Sequence, residues 1–325
     1  MQIFPTLMSA GVRPRLACEI RPEGIVAARA DSPASPLAAV AQAALPADAL
    51  APGLRTGNLV DRVAIVAALK RALDALGGRS GDVTLVVPDA ALRVLLLDFD
   101  SLPHKVAEAL PVVRFRLKKL LPFEADDAAV SYQILSSGRN NLRVVAAAMP
   151  RTVLGEYEAA VRDAGYEPGA VLPSTLAALA ALEEPGSAAL VVNASRSGVT
   201  TAIVQAGQLL LHRSIDLGLD ASAGVVNDEG VAVAVQPVVL TEQAVEQEVA
   251  QAVTVAAAYY EDTLNTTLEE VLVAGPLGAE RVQAMVGGEG LRMQELLQPA
   301  QLLAEAITAA VPRGMLAGVA GVLKS

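Results

Sequence analysis

The stretch from residue 83 to 149 constrains this chain more than any other. Val83–Val87 and Leu92–Phe99 are short apolar runs broken by Pro88-Asp89, a pattern of strand, break, strand. A basic, largely helical run follows from His104 to Leu120 and stops at Leu121-Pro122-Phe123. Two more strand patterns, Val130–Leu135 and Leu142–Ala148, flank a Ser-Ser-Gly-Arg-Asn-Asn turn. Together they predict a small β-β-α-β-β module over about 83-149, set inside a larger α/β chain.

The flanking sequence divides into two similar halves. Leu16–Ile20 and Ile25–Ala30 read as a strand pair joined tightly at Arg21-Pro22-Glu23-Gly24. Residues 31 to 58, rich in Ala, Pro and Ser, read as loosely structured linking chain. Asp61 then caps a helix whose apolar positions Val63, Val66, Ala67, Leu69 and Leu73 recur at helical spacing and stop at Gly77-Gly78. After the module, an amphipathic helix runs from Thr152 to Ala164, a short strand covers Ala170–Leu172, and a helix begins at Ser174. Glu183-Glu184-Pro185-Gly186 marks the boundary between halves. Beyond it come strands at Ala189–Val192, Val199–Val204 and Gln208–Ile215, then a long helix, Glu242 to Leu264, with Val245, Val249, Ala252, Ala256 and Tyr260 on one stripe. Val271–Val273 is a buried-type strand, and two helical segments close the chain. Periodicity alone supports an α/β chain of two lobes.

Composition excludes several function classes. The 325 residues suffice for two domains or one large bilobed one, burying roughly 75% of the unfolded surface. Hydrophobic residues make up 53% but aromatic ones only 3%, so the core is built of Ala, Val and Leu. A net charge of −10 without a dominant basic face argues against nucleic acid as a partner. The single cysteine, Cys18, cannot form an internal disulfide and is expected as a buried, inert thiol. No apolar run approaches the ~18 residues of a membrane span, and Met1–Gly11 lacks the pattern of a signal peptide. Two histidines and one cysteine do not furnish a standard zinc site. His212 is expected in a strand as a solvated or hydrogen-bonded side chain, and Asp126-Asp127 and Glu269-Glu270 as solvated charge. Phosphate-loop, zinc-protease and serine-hydrolase motifs are missing from the sequence.

Leu120-Leu121-Pro122-Phe123-Glu124 after the basic helix, and Tyr132-Gln133-Ile134-Leu135 in the next strand, resemble the inserted subdomain of PilM, the actin-like cytoplasmic protein of type IV pilus assembly. The likeness to GspL and FtsA is more distant. The resemblance implies a bilobed actin-like (RNase H-like duplicated) fold. Residues 1-182 would form the first lobe with its insert, and 187-325 the second, with a shortened subdomain at about 218-241.

Proteins of this fold hold nucleotide phosphates between two β-hairpins, each carrying Asp-x-Gly, where carboxylate orders Mg²⁺ and glycine admits backbone N–H groups. The first hairpin here matches that pattern with Glu19 for the aspartate and Arg21 for the glycine, followed by Pro22, which has no N–H to donate. In the second, Asn193 stands for the carboxylate, followed by Ser195 and Gly198. Gly275 and Gly278 keep part of a glycine loop that faces adenosine in the family. These departures lead us to expect no ATP hydrolysis; ATP and Mg²⁺ binding is disfavoured, with Arg196 leaving an anion possible.

The resemblance implies instead a non-catalytic cytoplasmic scaffold of type IV pilus or related secretion machinery. It would sit peripheral to the inner membrane by binding the N-terminal peptide of a PilN-like bitopic protein. The groove is expected between the insert and the first lobe, near Leu121, Phe123 and Tyr132. Arg114 and Lys118 share one face of the basic helix and are candidate contacts to a partner or to anionic lipid, while Pro111 is expected to bend or restart that helix. The alternatives are an ATP-binding PilM- or FtsA-like ATPase or filament former, and a GspL-like component of type II secretion. No span follows Val322-Leu323-Lys324-Ser325 to favour the last.

Overall fold

A computed structural model describes residues 14–33, 35–77, 81–137, 141–183, 188–217, 225–226, 232–233, 241–287, 290–303 and 311–324. Its first half runs β1 (Leu16–Arg21), β2 (Gly24–Ala30), β3 (Leu37–Ala43), α1 (Arg62–Asp74) and β4 (Asp82–Val87). Next come β5 (Arg93–Phe99), α2 (Val106–Leu117), β6 (Ala128–Ser137) and β7 (Leu142–Pro150). The half ends with α3 (Arg151–Asp163), β8 (Glu167–Pro173) and α4 (Ser174–Leu179). The second half has β9 (Ala189–Ala194), β10 (Gly198–Gln205), β11 (Gln208–Asp216), α5 (Glu242–Leu264), β14 (Glu270–Ala274), α6 (Gly278–Val286), β15 (Arg292–Glu295) and α7 (Arg313–Lys324). Between β11 and α5 lie the two-residue strands β12 (Val225–Val226) and β13 (Ala232–Val233), which pair with each other. The rest of the expected 218-241 subdomain falls outside the described residues, as does most of the Glu183–Gly186 boundary.

Each half builds a five-stranded sheet with the same winding. The first is ordered β3-β2-β1-β4-β8 and the second β11-β10-β9-β14-β15. In both, three antiparallel strands are followed by two that run parallel to the first strand of the half. A helix follows the third, fourth and fifth strand of each sheet (α1, α3 and α4; α5, α6 and α7), so the duplication inferred from periodicity extends to every major element. This is the bilobed actin-like architecture.

The insert is smaller than the sequence pattern suggested. β5, β7 and β6 form a separate three-stranded sheet, with Val113 and Leu117 of α2 buried against it beside Leu97, Ala146 and Ala148. Val83–Val87, assigned to the module from sequence, lies instead inside the first lobe's sheet, between β1 and β8. The reason is burial on both faces: a central parallel strand reads as a continuous apolar run, and nothing local in it tells which sheet it joins. Residues 37–43, expected as linking chain, add the edge strand β3, paired along β2. The α1 stripe is also displaced. Asp61 caps as expected, accepting from the Ala64 N–H at 2.9 Å, but Val63 is 81% exposed and Ile65, Ala68, Leu69, Ala72 and Leu73 face the core. Finally, α2 runs unbroken through Pro111.

Three of the four hydrophobic clusters follow the layers. α1 and α3 cover the outer face of the first sheet, and α5 and α6 that of the second. The third cluster lies between the sheets, where α4 and α7 pack together with Leu176, Leu179, Leu316, Val319 and Val322 inside. The small residues of α7 make this possible. A Cβ on Gly321 would sit 1.8 Å from the Ala177 carbonyl oxygen, and one on Gly314 2.3 Å from that of Gly275. Only glycine lets these backbones touch.

Candidate functional site

Strand alternation decides which side chains meet between the lobes. In β1, Leu16, Cys18 and Ile20 face the outer core, so Glu19 and Arg21 share the inner face with Ala17. In β9 and β10 the same period puts Asn193, with Val191, and Thr200, with Ala202, on the inner face of the second sheet. The four polar side chains converge beside the start of α4, at the position the sequence resemblance assigned to a nucleotide.

There they bond to one another, with Glu19 Oε2 and Arg21 Nε left without a hydrogen-bond partner. The Arg21 guanidinium pairs with the Glu19 carboxylate at 2.7 Å and donates to the Ser174 hydroxyl at 2.7 Å. It reaches Asn193 Oδ1 at 3.4 Å across the lobes. Ser174 donates to Glu19 at 2.6 Å, and Asn193 Nδ2 donates to Ser174 and Thr175 at 2.8 and 3.0 Å. Asp89, on the turn after β4, accepts from the Thr175 N–H at 3.1 Å and from the Thr175 hydroxyl. It also accepts from Thr200 of the second lobe at 3.0 Å, and the Thr200 hydroxyl in turn accepts from Ser214 at 2.8 Å. Glu19 is 0% exposed and Arg21 5%. Burial pushes the Glu19 carboxyl above its ordinary range, opposed by Arg21 and by the Ser174 hydrogen bond. Burial lowers His212 below the usual imidazole value, with the nearby Asp89 charge opposing.

The hairpin tips also touch: the Arg196 N–H donates to Glu23 at 3.2 Å, joining the β1–β2 and β9–β10 turns. Ser195, expected beside phosphate, accepts from the N–H groups of Ser197 and Gly198 within its own turn. Gly275 has φ +93, and a Cβ there would meet the Ala194 carbonyl oxygen at 2.4 Å; its N–H donates to Gly314 at 2.8 Å. Gly278 opens α6, but the Glu295 carboxylate accepts from the next N–H, Ala279, at 2.9 Å and places negative charge on that terminus. The space left among Arg21, Asp89, Asn193, Ser195 and Thr200 is about 40 Å³, where one water needs roughly 10–15 Å³, so it is room for about three waters. A magnesium triphosphate does not fit these residues: the Arg21 side chain occupies its place, and Glu19, Glu23 and Glu295 oppose its charge.

A second concavity has the opposite character. Between the insert and the first lobe lies a groove of about 270 Å³, lined by Ala129, Tyr132, Ala147, Ala170, Leu172 and Val322 among others. Its rims are β6, which ends the small sheet, and β8, which ends the first lobe's sheet. Of the residues expected near it, Tyr132 lines the groove, whereas Leu121 and Phe123 pack on the insert's own core. Arg114 and Lys118 are engaged internally: Arg114 donates to the Ala125 and Ala128 carbonyls, and Lys118 pairs with Asp126 at 2.6 Å. Leu120 is 51% exposed. Sequence reasoning missed Asp89, Ser174, Thr175 and Thr200. Their one signal was Pro173-Ser174-Thr175 at a helix start, where hydroxyls seek partners.

Among the described residues no group of three or more His, Cys, Asp or Glu side chains is placed to hold a metal ion, and no helix is long and apolar enough to cross a membrane.

No family model matches the chain, and no curated protein matches it either. Solved structures do. A chain of the PilM–PilN type IV pilus biogenesis complex superposes with a TM-score of 0.69 at 17% identity, over 95% of this chain and 98% of that one. This chain has that fold. The cytoplasmic domain of EpsL, an inner membrane component of the type II secretion system of Vibrio cholerae, gives a TM-score of 0.47 at 13% identity, over 92% of this chain and 96% of that one.

Proposed function

We propose that this chain is a non-catalytic adaptor of the PilM type. It receives a short, apolar, extended cytoplasmic peptide of a PilN-like inner-membrane protein and so sits in the cytoplasm at the membrane face of a pilus or related secretion machine. The observation that carries this reading is the groove of about 270 Å³ between two sheet-ending strands, β6 and β8. A strand at the edge of a sheet offers unpaired N–H and C=O groups to an extended peptide, and an apolar floor of Ala, Val and Leu takes its alternate side chains. The interlobe site supports it from the other side, because Arg21, Glu19 and Asn193 bond to each other where a nucleotide would need them free.

The test is fluorescence anisotropy with a labelled peptide of the first dozen residues of a PilN-like partner. Wild-type chain should bind, and Ala170→Arg, which fills the groove from the β8 rim with charge, should weaken binding at least about tenfold, or ~1.4 kcal/mol. Equal binding by the two proteins would remove the groove from the account.

A further inference from the structure

The outer faces of α2 and α5 are complementary. On α2, Phe115 is 68% exposed and Val112 39%, in a chain with only four phenylalanines. Arg116 lies four positions after Val112, and Lys119, in the turn just past α2, four after Phe115, so both fall on that face. Neither forms an ion pair among the described residues, in contrast to Lys118, which is held by Asp126. On α5, Val255 and Tyr259 stand four apart and are each 43% exposed. Glu248 and Asp262 lie seven positions before and after Val255 on that face, and they too form no ion pair among the described residues. One patch is apolar with basic flanks, and the other apolar with acidic flanks.

We propose that the two patches bind each other between copies, α2 of one chain against α5 of the next. Because they are different surfaces, the contact is heterologous: it propagates into a ring or an open row instead of closing as a two-fold dimer. Charge favours a protein occupant over a lipid surface. The chain carries a net −10, and two free cations fall short of the roughly 4–8 that draw a segment to anionic membranes. A row would set many peptide grooves side by side. It stands independently of the groove reading, since none of its residues lines the groove.

Charge reversal tests it. Sedimentation velocity at up to ~100 µM should show concentration-dependent association of wild type, weakened by salt. Arg116→Glu with Lys119→Glu, and separately Glu248→Lys with Asp262→Lys, should each weaken association at least about tenfold while leaving thermal unfolding unchanged. An equimolar mixture of the two variants should recover assembly with alternating 1:1 composition, because each reversed face then meets its complement. Ala170→Arg should assemble as wild type does. A wild type that stays monomeric, variants that assemble undiminished, or a mixture that fails to pair would overturn the proposal. So would co-sedimentation of monomeric wild type with anionic vesicles that is lost when Phe115 is changed to Asp.

Discussion

The two concavities of this chain share no lining residue and differ in chemistry. Between the lobes, charged and hydroxyl side chains bond to one another around about 40 Å³ of space. Between the first lobe and the insert, apolar side chains line about 270 Å³ that opens to solvent. Most polar atoms of that network already bond to one another, so occupancy by a ligand there would require breaking bonds already made. An apolar groove beside two strand edges has the reverse property, because a peptide adds bonds that nothing else provides. On the proposed reading, the interlobe residues act as a strut between lobes and recognition falls to the insert.

The strongest way to break this contrast is to cut the strut. Arg21→Ala leaves the Glu19 carboxylate buried without its partner and should cost about 3–5 kcal/mol in urea unfolding. Replacing both members of the pair with apolar residues, Glu19→Leu with Arg21→Met, should recover most of that loss. A single substitution without effect would mean that the network does not hold the lobes together. Next in size is the glycine contact under it: Gly321→Ala drives a methyl into the Ala177 carbonyl and should destabilise by about 1–3 kcal/mol. The matched control, Gly155→Ala on α3, meets nothing within 4 Å and should stabilise by about 0.5–1 kcal/mol. The same sign for both would refute the close packing of α4 and α7.

The groove sharpens the comparison from its other side. Ala170→Arg should leave the urea midpoint within error while peptide affinity falls, separating recognition from the strut. The smallest effect concerns Cys18, which stands beside Glu19 but on the opposite face of β1. Burial, with a lesser contribution from Glu19, pushes its thiol up to about 12. A raised value means that this group's contribution is intact below the ordinary thiol pKa of ~8.5 and is lost as pH climbs from there. Wild type should therefore lose stability relative to Cys18→Ala between about pH 9 and 11. Thiol reagents at pH 8 should label it only at the rate of unfolding. An opposite slope, or fast labelling, would place Cys18 near solvent.

Elements with a clear local period were legible. β1 and β2, β9 to β11, α3 and the full α5 stripe emerge from alternation or 3.6-residue spacing. The bilobed fold was readable because its halves repeat, and the motif departures at Glu19, Arg21 and Asn193 marked the interlobe position. What those residues do was not legible, because the partners of Arg21 lie 153 and 172 positions away, at Ser174 and Asn193. Asp89 looked like a strand break and is the anchor for Thr175, 86 positions on. Val83–Val87 was misassigned for the same reason: parallel pairing is decided by distant strands. On the basic helix, charge alone did not distinguish Arg114 and Lys118, held by the 125–128 turn, from Arg116 and Lys119.

The most direct measurement is calorimetric titration of the full chain with the PilN-like peptide, in the absence and presence of millimolar Mg-ATP. An interlobe site occupied by its own side chains and an independent groove predict one peptide affinity under both conditions and no heat from Mg-ATP alone. Micromolar ATP binding, or peptide binding that appears only with ATP, would contradict the account.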